Sequence, residues 1–423
     1  MKILLWGINY RPESTGIAPY NAELAEYLAA RDHDVSVVTG VPYYPQWKKE
    51  PGDQGKLFRA EQINGVNVFR CGQYVPSRAT TLRRIFHELS FGLLSLLRVL
   101  FLPRADVYVV VSPPLCLGFC AWIVTTVKRS RYVFHVQDLQ PGAAVGLGMV
   151  KGRGFIRLLY ALERFAYTHA AAVSGISDGM MDEFRRKGVV ARKRIHFPNW
   201  LRSSGAAALT ATRGAFRRKY DIPAHHLLAV YSGNLGRKQG IDVLLDAAER
   251  LAGRAVRMII AGAGAERDAL AERIAARQLR NLRLFPLFSD EDYAGVLADA
   301  DVGLITQASG TGQYFFPSKL LSLLQAALPV VTVADEDSEL ARAVADGGFG
   351  VNVQPNQPEA LADVLVRLTA EGEELRQLRI HTRWVQRFSP AIVLRQFARQ
   401  LDELVGETGR TPELVGQHEP SRL

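Results

Sequence analysis

The chain has 423 residues, more than one hydrophobic core usually supports, so two domains of about 200 residues each are expected. Its 48% hydrophobic and 22% charged residues exclude wholesale disorder. The net charge of +10 sits in the amino-terminal half, where residues 1–200 hold 26 Lys+Arg against 15 Asp+Glu; this points to an anionic partner such as lipid headgroups, a lipid pyrophosphate or nucleic acid, with a solvated basic surface as the alternative.

From Met1 a short apolar stretch with one lysine runs straight into polar sequence, which reads as a first strand and not as a signal peptide. Strands are predicted at 2–8, 34–39, 66–70, 107–111, 132–136, 171–174 and 195–197, and helical spacing covers 18–31, 82–101, 155–170 and 177–187. This alternation is that of parallel strands joined by crossover helices. Val107 to Val127 carry no charge and have the length of a membrane span, but Ser112, Pro113 and Pro114 divide them into a strand, a turn and a buried helix from about 115. Cys71, Cys116 and Cys120 read as buried, reduced core residues of a reducing compartment.

The small, polar stretch 201–215 is the linker candidate, giving a first domain over 1–200, a linking segment over 201–225 and a second domain over 226–388. Strands of that second domain are predicted near 227–232, 256–261, 282–286, 301–305 and 329–333, with helices at 240–251, 265–277, 317–327, 357–370 and 389–404. Residues 389–423 are expected to hold a helix that crosses back to the first domain and then a polar tail. Two doubly wound domains in series place their strand carboxyl ends, where ligands bind, on either side of one cleft.

Motifs fall at those strand ends. The polar loop Asn9 to Ala18 ends at a helix amino terminus, where Gly16 lets backbone approach a ligand and the helix attracts an anion. His135 and Asp138 end the fifth strand, placed to bond a sugar hydroxyl and to orient the histidine or an acceptor. The turn Tyr231 to Gly240 combines Gly233 and Asn234 with Arg237 and Lys238, cations suited to a diphosphate leaving group. Gly262 and Gly264 suggest a close backbone approach or a tight turn, but Arg267 occupies the third glycine position of a dinucleotide fingerprint, which removes support for a dehydrogenase. Pro317 suits the first turn of a helix whose amides at Ser318, Lys319 and Leu320 would hold a phosphate, with Lys319 adding charge. The pairs Asp32/Asp34, Asp290/Asp292, Asp299/Asp301 and Asp335/Asp337 are too numerous to single out a metal site, so neither a catalytic metal nor a cofactor is expected.

Taken together, GINYRPESTGIAPYNAELAEYL, VPYYPQW, FHVQDLQPGAAVGLGM, FPNW, YSGNLGRKQGIDVLLDAAE and FPSKLLSLLQAALPVV resemble glycosyltransferase family 4 over nearly the whole chain, closest to its WcaI-like members of colanic acid and related exopolysaccharide synthesis. The resemblance implies a GT-B fold, a nucleotide-sugar donor in the carboxy-terminal domain, an acceptor in the amino-terminal domain and retention of anomeric configuration. It implies that Gly16 lies near the donor phosphates and His135 near the donor sugar. It makes Arg237 and Lys238 phosphate-binding cations, Ser318 to Leu320 the pyrophosphate amides, and Pro286, Leu287 and Phe288 the segment that recognises the base. The chain departs from the family at Tyr314 and Ser322, where many members carry two glutamates, one of them the usual ribose-binding carboxylate, and at Gly142, where related sequences often place Asp. The expected partners are a nucleotide-sugar, with GDP-fucose favoured by the resemblance, a lipid-linked saccharide and the anionic inner face of the plasma membrane, to which a cytoplasmic enzyme would bind peripherally; nucleic acid is not among them. A membrane contact is read from residues 78–104, where Arg78, Arg83, Arg84, Arg98 and Arg104 surround the apolar run Phe91 to Leu97. A sugar-nucleotide epimerase of the same fold and a non-catalytic carbohydrate-binding protein remain the rival readings.

Overall fold

Alternating β-branched and amphipathic segments build two mostly parallel sheets, each covered by helices on both faces. The computed structural model describes residues 1–14, 16–44, 46–77, 80–142, 152–202, 211–312, 317–370 and 382–406. The linker residues 203–210, the tail from 407, Tyr314 and Arg78 lie outside the described residues.

The first sheet contains β1 (Lys2–Trp6), β2 (Asp34–Gly40), β3 (Phe58–Ile63), β4 (Val66–Cys71), β5 (Val107–Ser112), β6 (Arg131–Val136), β7 (Ala172–Gly175) and β8 (Arg194–His196), in the order β3-β4-β2-β1-β5-β6-β7-β8. All neighbours are parallel except the edge pair β3 and β4. Its helices are α1 (Ala18–Ala29), α2 (Thr81–Phe101), α3 (Leu117–Lys128), α4 (Arg153–His169) and α5 (Asp178–Arg186). The uncharged stretch from Val107 divides as its prolines dictate: β5 is buried throughout and α3 is a short core helix. Among the described residues no helix is long and apolar enough to cross a membrane.

The second sheet contains β9 (Leu227–Asn234), β10 (Val256–Ala263), β11 (Leu282–Phe285), β12 (Val302–Thr306), β13 (Val330–Val333) and β14 (Gly350–Val353), all parallel, in the order β11-β10-β9-β12-β13-β14. A one-turn helix, α6 (Ala215–Lys219), buries Phe216 in the core of this domain, so the second unit begins ahead of residue 226. The helices that follow are α7 (Asp242–Arg250), α8 (Arg267–Ala276), α9 (Asp290–Asp299), α10 (Lys319–Gln325), α11 (Glu339–Gly347), α12 (Pro358–Ala370), α13 (Thr382–Gln386) and α14 (Pro390–Gly406). The last of them returns to the first domain, where Val393, Leu394, Phe397 and Leu401 join the core of Ile3, Leu5, Leu24 and Phe197. Phe197 and Phe397 stack at 3.8 Å, which fixes one domain against the other through apolar burial.

Candidate functional site

Parallel strands deliver their carboxyl ends to one edge of a sheet, and here the two edges face each other. Three contacts define the closed cleft. Lys238 reaches Asp138 at 3.7 Å. The Tyr20 phenol meets the Ser318 side chain, so the first turns of α1 and α10 stand opposite one another. Glu339, in the first turn of α11, accepts the N–H groups of Asp178 and Gly179 at 3.0 and 2.9 Å, placing a carboxylate on the amino terminus of α5.

On the second domain, Gly233 and Asn234 end β9 and Gly262 ends in β10, side by side in register. The glycines are required sterically: a Cβ at Gly262 would overlap the Gly233 carbonyl oxygen, and one at Gly264, at φ +156°, would overlap that of Leu235. A Cβ at Gly233 would stand 3.0 Å from Lys319 Nζ. That ammonium lies 3.7 Å from the centroid of Tyr231 and is buried without a hydrogen-bond acceptor among the described residues. Burial first, and the charge of Lys238 second, pull its pKa down to about 7. An unpartnered buried cation beside a glycine turn has the form of a site awaiting an anion.

Arg237 extends into solvent, 3.5 Å from Glu266. Pro317 is buried at the start of α10, and the Leu320 N–H turns back to the Pro317 carbonyl at 3.1 Å, so the expected three phosphate amides reduce to Ser318 and Lys319. Ser322, at the position of the missing glutamate, bonds instead to the buried phenol of Tyr293. Pro286, Leu287 and Phe288 form the loop after β11, with Phe288 anchored on Phe216 at 5.8 Å and Phe285 at 5.4 Å. Gly16, at φ +66°, precedes α1, and a Cβ there would meet only Tyr44 at 3.8 Å. Gly142 is buried just beyond β6.

His135 lies deep at the end of β6. It is buried to 3%, its Nδ1 pairs with Ser174 Oγ at 2.9 Å and its Nε2 with the Gln137 amide at 2.8 Å, so both ring nitrogens are engaged within the first domain. Burial holds its pKa down to about 3, which keeps the ring neutral. Gln137, which the motifs did not single out, lies just beyond β6 and pairs with the His135 ring and, at 3.3 Å, with Asn199. Its signal was available: along a strand, residues 135 and 137 share a face, and the later one lies nearer the carboxyl edge. Tyr20 and Glu339 were missed as well, because their roles depend on the opposite domain.

The paired aspartates have structural work. Asp299 accepts the N–H groups of Gly214 and Arg217, Asp301 pairs with Arg217, Asp292 belongs to the cap of α9, and Asp335 holds Ser309 and Gly310.

Residues 15–200 match the family model described as glycosyl transferase 4-like domain, and residues 212–383 match glycosyl transferases group 1. The chain is 36% identical over 372 residues to the putative colanic acid biosynthesis glycosyl transferase WcaI of Escherichia coli K12, covering 85% of this chain and 90% of that protein. In fold it is similar to sucrose-phosphate synthase from Thermosynechococcus elongatus, with a TM-score of 0.75 at 16% identity over 96% of this chain and 99% of that one. It is also similar to Anabaena HepE in complex with UDP-glucose, with a TM-score of 0.68 at 16% identity over 95% and 100% of the two chains.

Proposed function

We propose a reaction for this chain on the premise that it belongs to the family 4 glycosyltransferases of the GT-B fold. It moves a sugar from a nucleotide-sugar, with GDP-fucose the favoured donor, to a lipid-linked saccharide of the colanic acid and exopolysaccharide type, with retention at the anomeric carbon and without a metal. The observation that carries this reading is the buried ammonium of Lys319, without an acceptor among the described residues, beside Gly233 at the amino terminus of α10 that faces α1.

The donor diphosphate lies against Gly233 and Gly262, close to Lys319 and to the Ser318 and Lys319 amides, with Arg237 and Lys238 at its rim. An acceptor hydroxyl oxygen attacks C1 from the face the diphosphate leaves; the bond from C1 to the phosphate oxygen breaks, and that oxygen takes the hydroxyl proton. Negative charge grows on the leaving oxygen, so fixed cations and amides stabilise the transition state more than the bound donor. Asp138 orients Lys238 and the acceptor side, while His135 acts through Gln137 as a positioning group.

The enzyme works at the inner face of the plasma membrane, held there by α2. Its side chains at Leu82, Phe86, Leu89, Leu93, Leu97 and Phe101 are 43–88% exposed along one face, with Arg83, Arg84 and Arg104 exposed nearby. The contact differs from the expected run Phe91 to Leu97: Phe91, Gly92 and Ser95 turn into the core, and Arg98 packs over Phe69 at 5.0 Å.

A screen of GDP-, UDP- and dTDP-sugars by thermal shift, followed by mass spectrometry of products made with membrane lipid extract, tests the reading. Stabilisation by one donor, and transfer that persists in EDTA, are expected. An isomerised donor with no transfer would establish the epimerase instead, and activity restored only by magnesium or manganese would overturn the metal-free mechanism.

A further inference from the structure

One motif has no part in the donor site: the loop after β2 that carries Tyr43, Tyr44 and Trp47. It is held rigidly. The buried Glu13 carboxylate accepts the N–H groups of Tyr43 and Tyr44, both at 2.9 Å, and the Asn9 amide at 2.8 Å, while Gln73 bonds both backbone groups of Val41 at 3.0 and 3.1 Å. Tyr43 and His87 form a buried floor with ring centroids 4.5 Å apart, and the half-open Trp47 packs on them at 5.3 Å from each. His87 is 2% exposed; its Nδ1 pairs with the Tyr74 carbonyl, and its Nε2 has no partner among the described residues.

Beside this floor, α2 presents Glu88, whose carboxylate accepts from the Gln140 amide at 3.2 Å. Gln140 is itself oriented, because its carbonyl oxygen takes the Leu115 N–H at 3.1 Å. Gln140 stands two residues beyond Asp138, the residue that reaches Lys238 across the cleft, and the Tyr44 phenol lies within the fields of Asp138 and Arg84. A line therefore runs from the donor cations through Asp138 to an aromatic surface edged by one carboxylate and one amide. These groups suit a sugar: an aromatic face takes the apolar side of a pyranose ring, and a carboxylate with an amide takes neighbouring hydroxyls. They suit a diphosphate poorly, because the Glu88 carboxylate stands among them beside Arg84.

We propose that Tyr44, Trp47, Glu88 and Gln140 form the subsite for the acceptor saccharide, with a sugar ring over Trp47 and two of its hydroxyls bonded to the Glu88 carboxylate and the Gln140 amide. This rests on the transferase reading above and adds the residues that recognise its second substrate. The subsite lies on the inner side of α2 and the exposed apolar face on the outer side of the same helix, so a saccharide carried on a membrane lipid reaches Glu88 while its lipid stays in the bilayer. Burial pushes the Glu88 carboxyl up to about 7, opposed by Arg84 and Gln140, while the residue stays partly exposed, so a ligand hydroxyl can reach it.

The test uses the full chain with methyl α-glucoside, methyl α-galactoside, methyl α-mannoside, lactose and maltose as probes in saturation-transfer NMR, and UDP and GDP in calorimetry as a separate arm. At least one saccharide is expected to bind the wild type, and Glu88→Gln and Trp47→Leu are each expected to weaken it roughly tenfold or more, the loss of one good hydrogen bond or stacking contact. Nucleotide affinity is expected to stay within about twofold in both variants. The proposal is overturned if no saccharide registers, or if a saccharide binds all three proteins alike while their melting temperatures agree. Absence of UDP and GDP binding in every protein, with a saccharide still bound by the wild type and lost in the variants, would count against the transferase reading and leave a saccharide site that is not an acceptor subsite.

Discussion

Replacing Lys319 by methionine tests whether an unpaired buried charge was placed for a ligand and not for the fold. The ammonium has no acceptor among the described residues and a pKa of about 7 against an ordinary 10.5. That gap is equivalent to about 5 kcal/mol of charge burial, and local relaxation brings the realised cost nearer ~2–3 kcal/mol. A lysine whose folded pKa is depressed binds fewer protons folded than unfolded between about pH 7 and 10.5, so stability rises with pH across that window. Methionine of similar length removes the cost. Lys319→Met is therefore expected to melt about 4–10 °C higher than wild type at pH 7, with the difference closing as the pH approaches 10. The same variant is expected to lose roughly 10²–10³ in transfer rate, because the leaving diphosphate loses its buried cation. Differential scanning calorimetry at several pH values, run with a nucleotide-release assay, reads both effects. A variant that is less stable than wild type, or a difference independent of pH, would refute the argument.

Gly262→Ala places a methyl group against the Gly233 carbonyl and is expected to cost about 1–3 kcal/mol and to abolish nucleotide binding; calorimetry with UDP and GDP checks it. Glu339→Ala removes the carboxylate from the amino terminus of α5 and is expected to raise the donor KM roughly three- to tenfold by favouring an open cleft, with a larger radius of gyration in solution scattering as the independent sign. Wild-type protein is expected to co-sediment with vesicles rich in anionic lipid at low salt. Phe86→Glu with Leu93→Glu should abolish this, and neutralising Arg83 and Arg84 weaken it, without a stability change above about 1 kcal/mol; equal binding to neutral and anionic vesicles would leave α2 an ordinary surface helix.

The order of strands and helices was legible wherever apolar runs were buried on both sides, as at β5 and β9. It failed at a polar edge strand and at two short helices. Strand β3, FRAEQI, sits at the sheet edge with every second residue exposed, and its polar positions conceal the pairing with β4. Helices α9 and α11 escaped a search for apolar spacing, yet both open on a serine whose side chain accepts the N–H three residues on, Ser289 from Asp292 and Ser338 from Ala341. A search for caps finds them.

The site was legible one strand end at a time, and only so far. A strand end shows that His135 and Gln137 share a face, but not how deep they lie, and that depends on Phe197 and Phe397 packing against the His135 ring at 5.0 and 6.5 Å. The latch of Glu339 on Asp178 joins residues 161 apart in sequence, and Tyr20 meets Ser318 only because α14 ties the domains together. Local motifs can specify each half of a phosphate site, since a glycine turn or a helix amino terminus is complete within a dozen residues. What converts the halves into a catalyst for two substrates is their separation across the cleft, and here that distance is set by apolar packing of a helix more than 150 residues away from either half of the first domain's loops. The closed arrangement therefore depends on Phe197, Phe397 and their neighbours as well as on the charged groups, and a cavity at Phe397 is expected to lower turnover without touching a ligand.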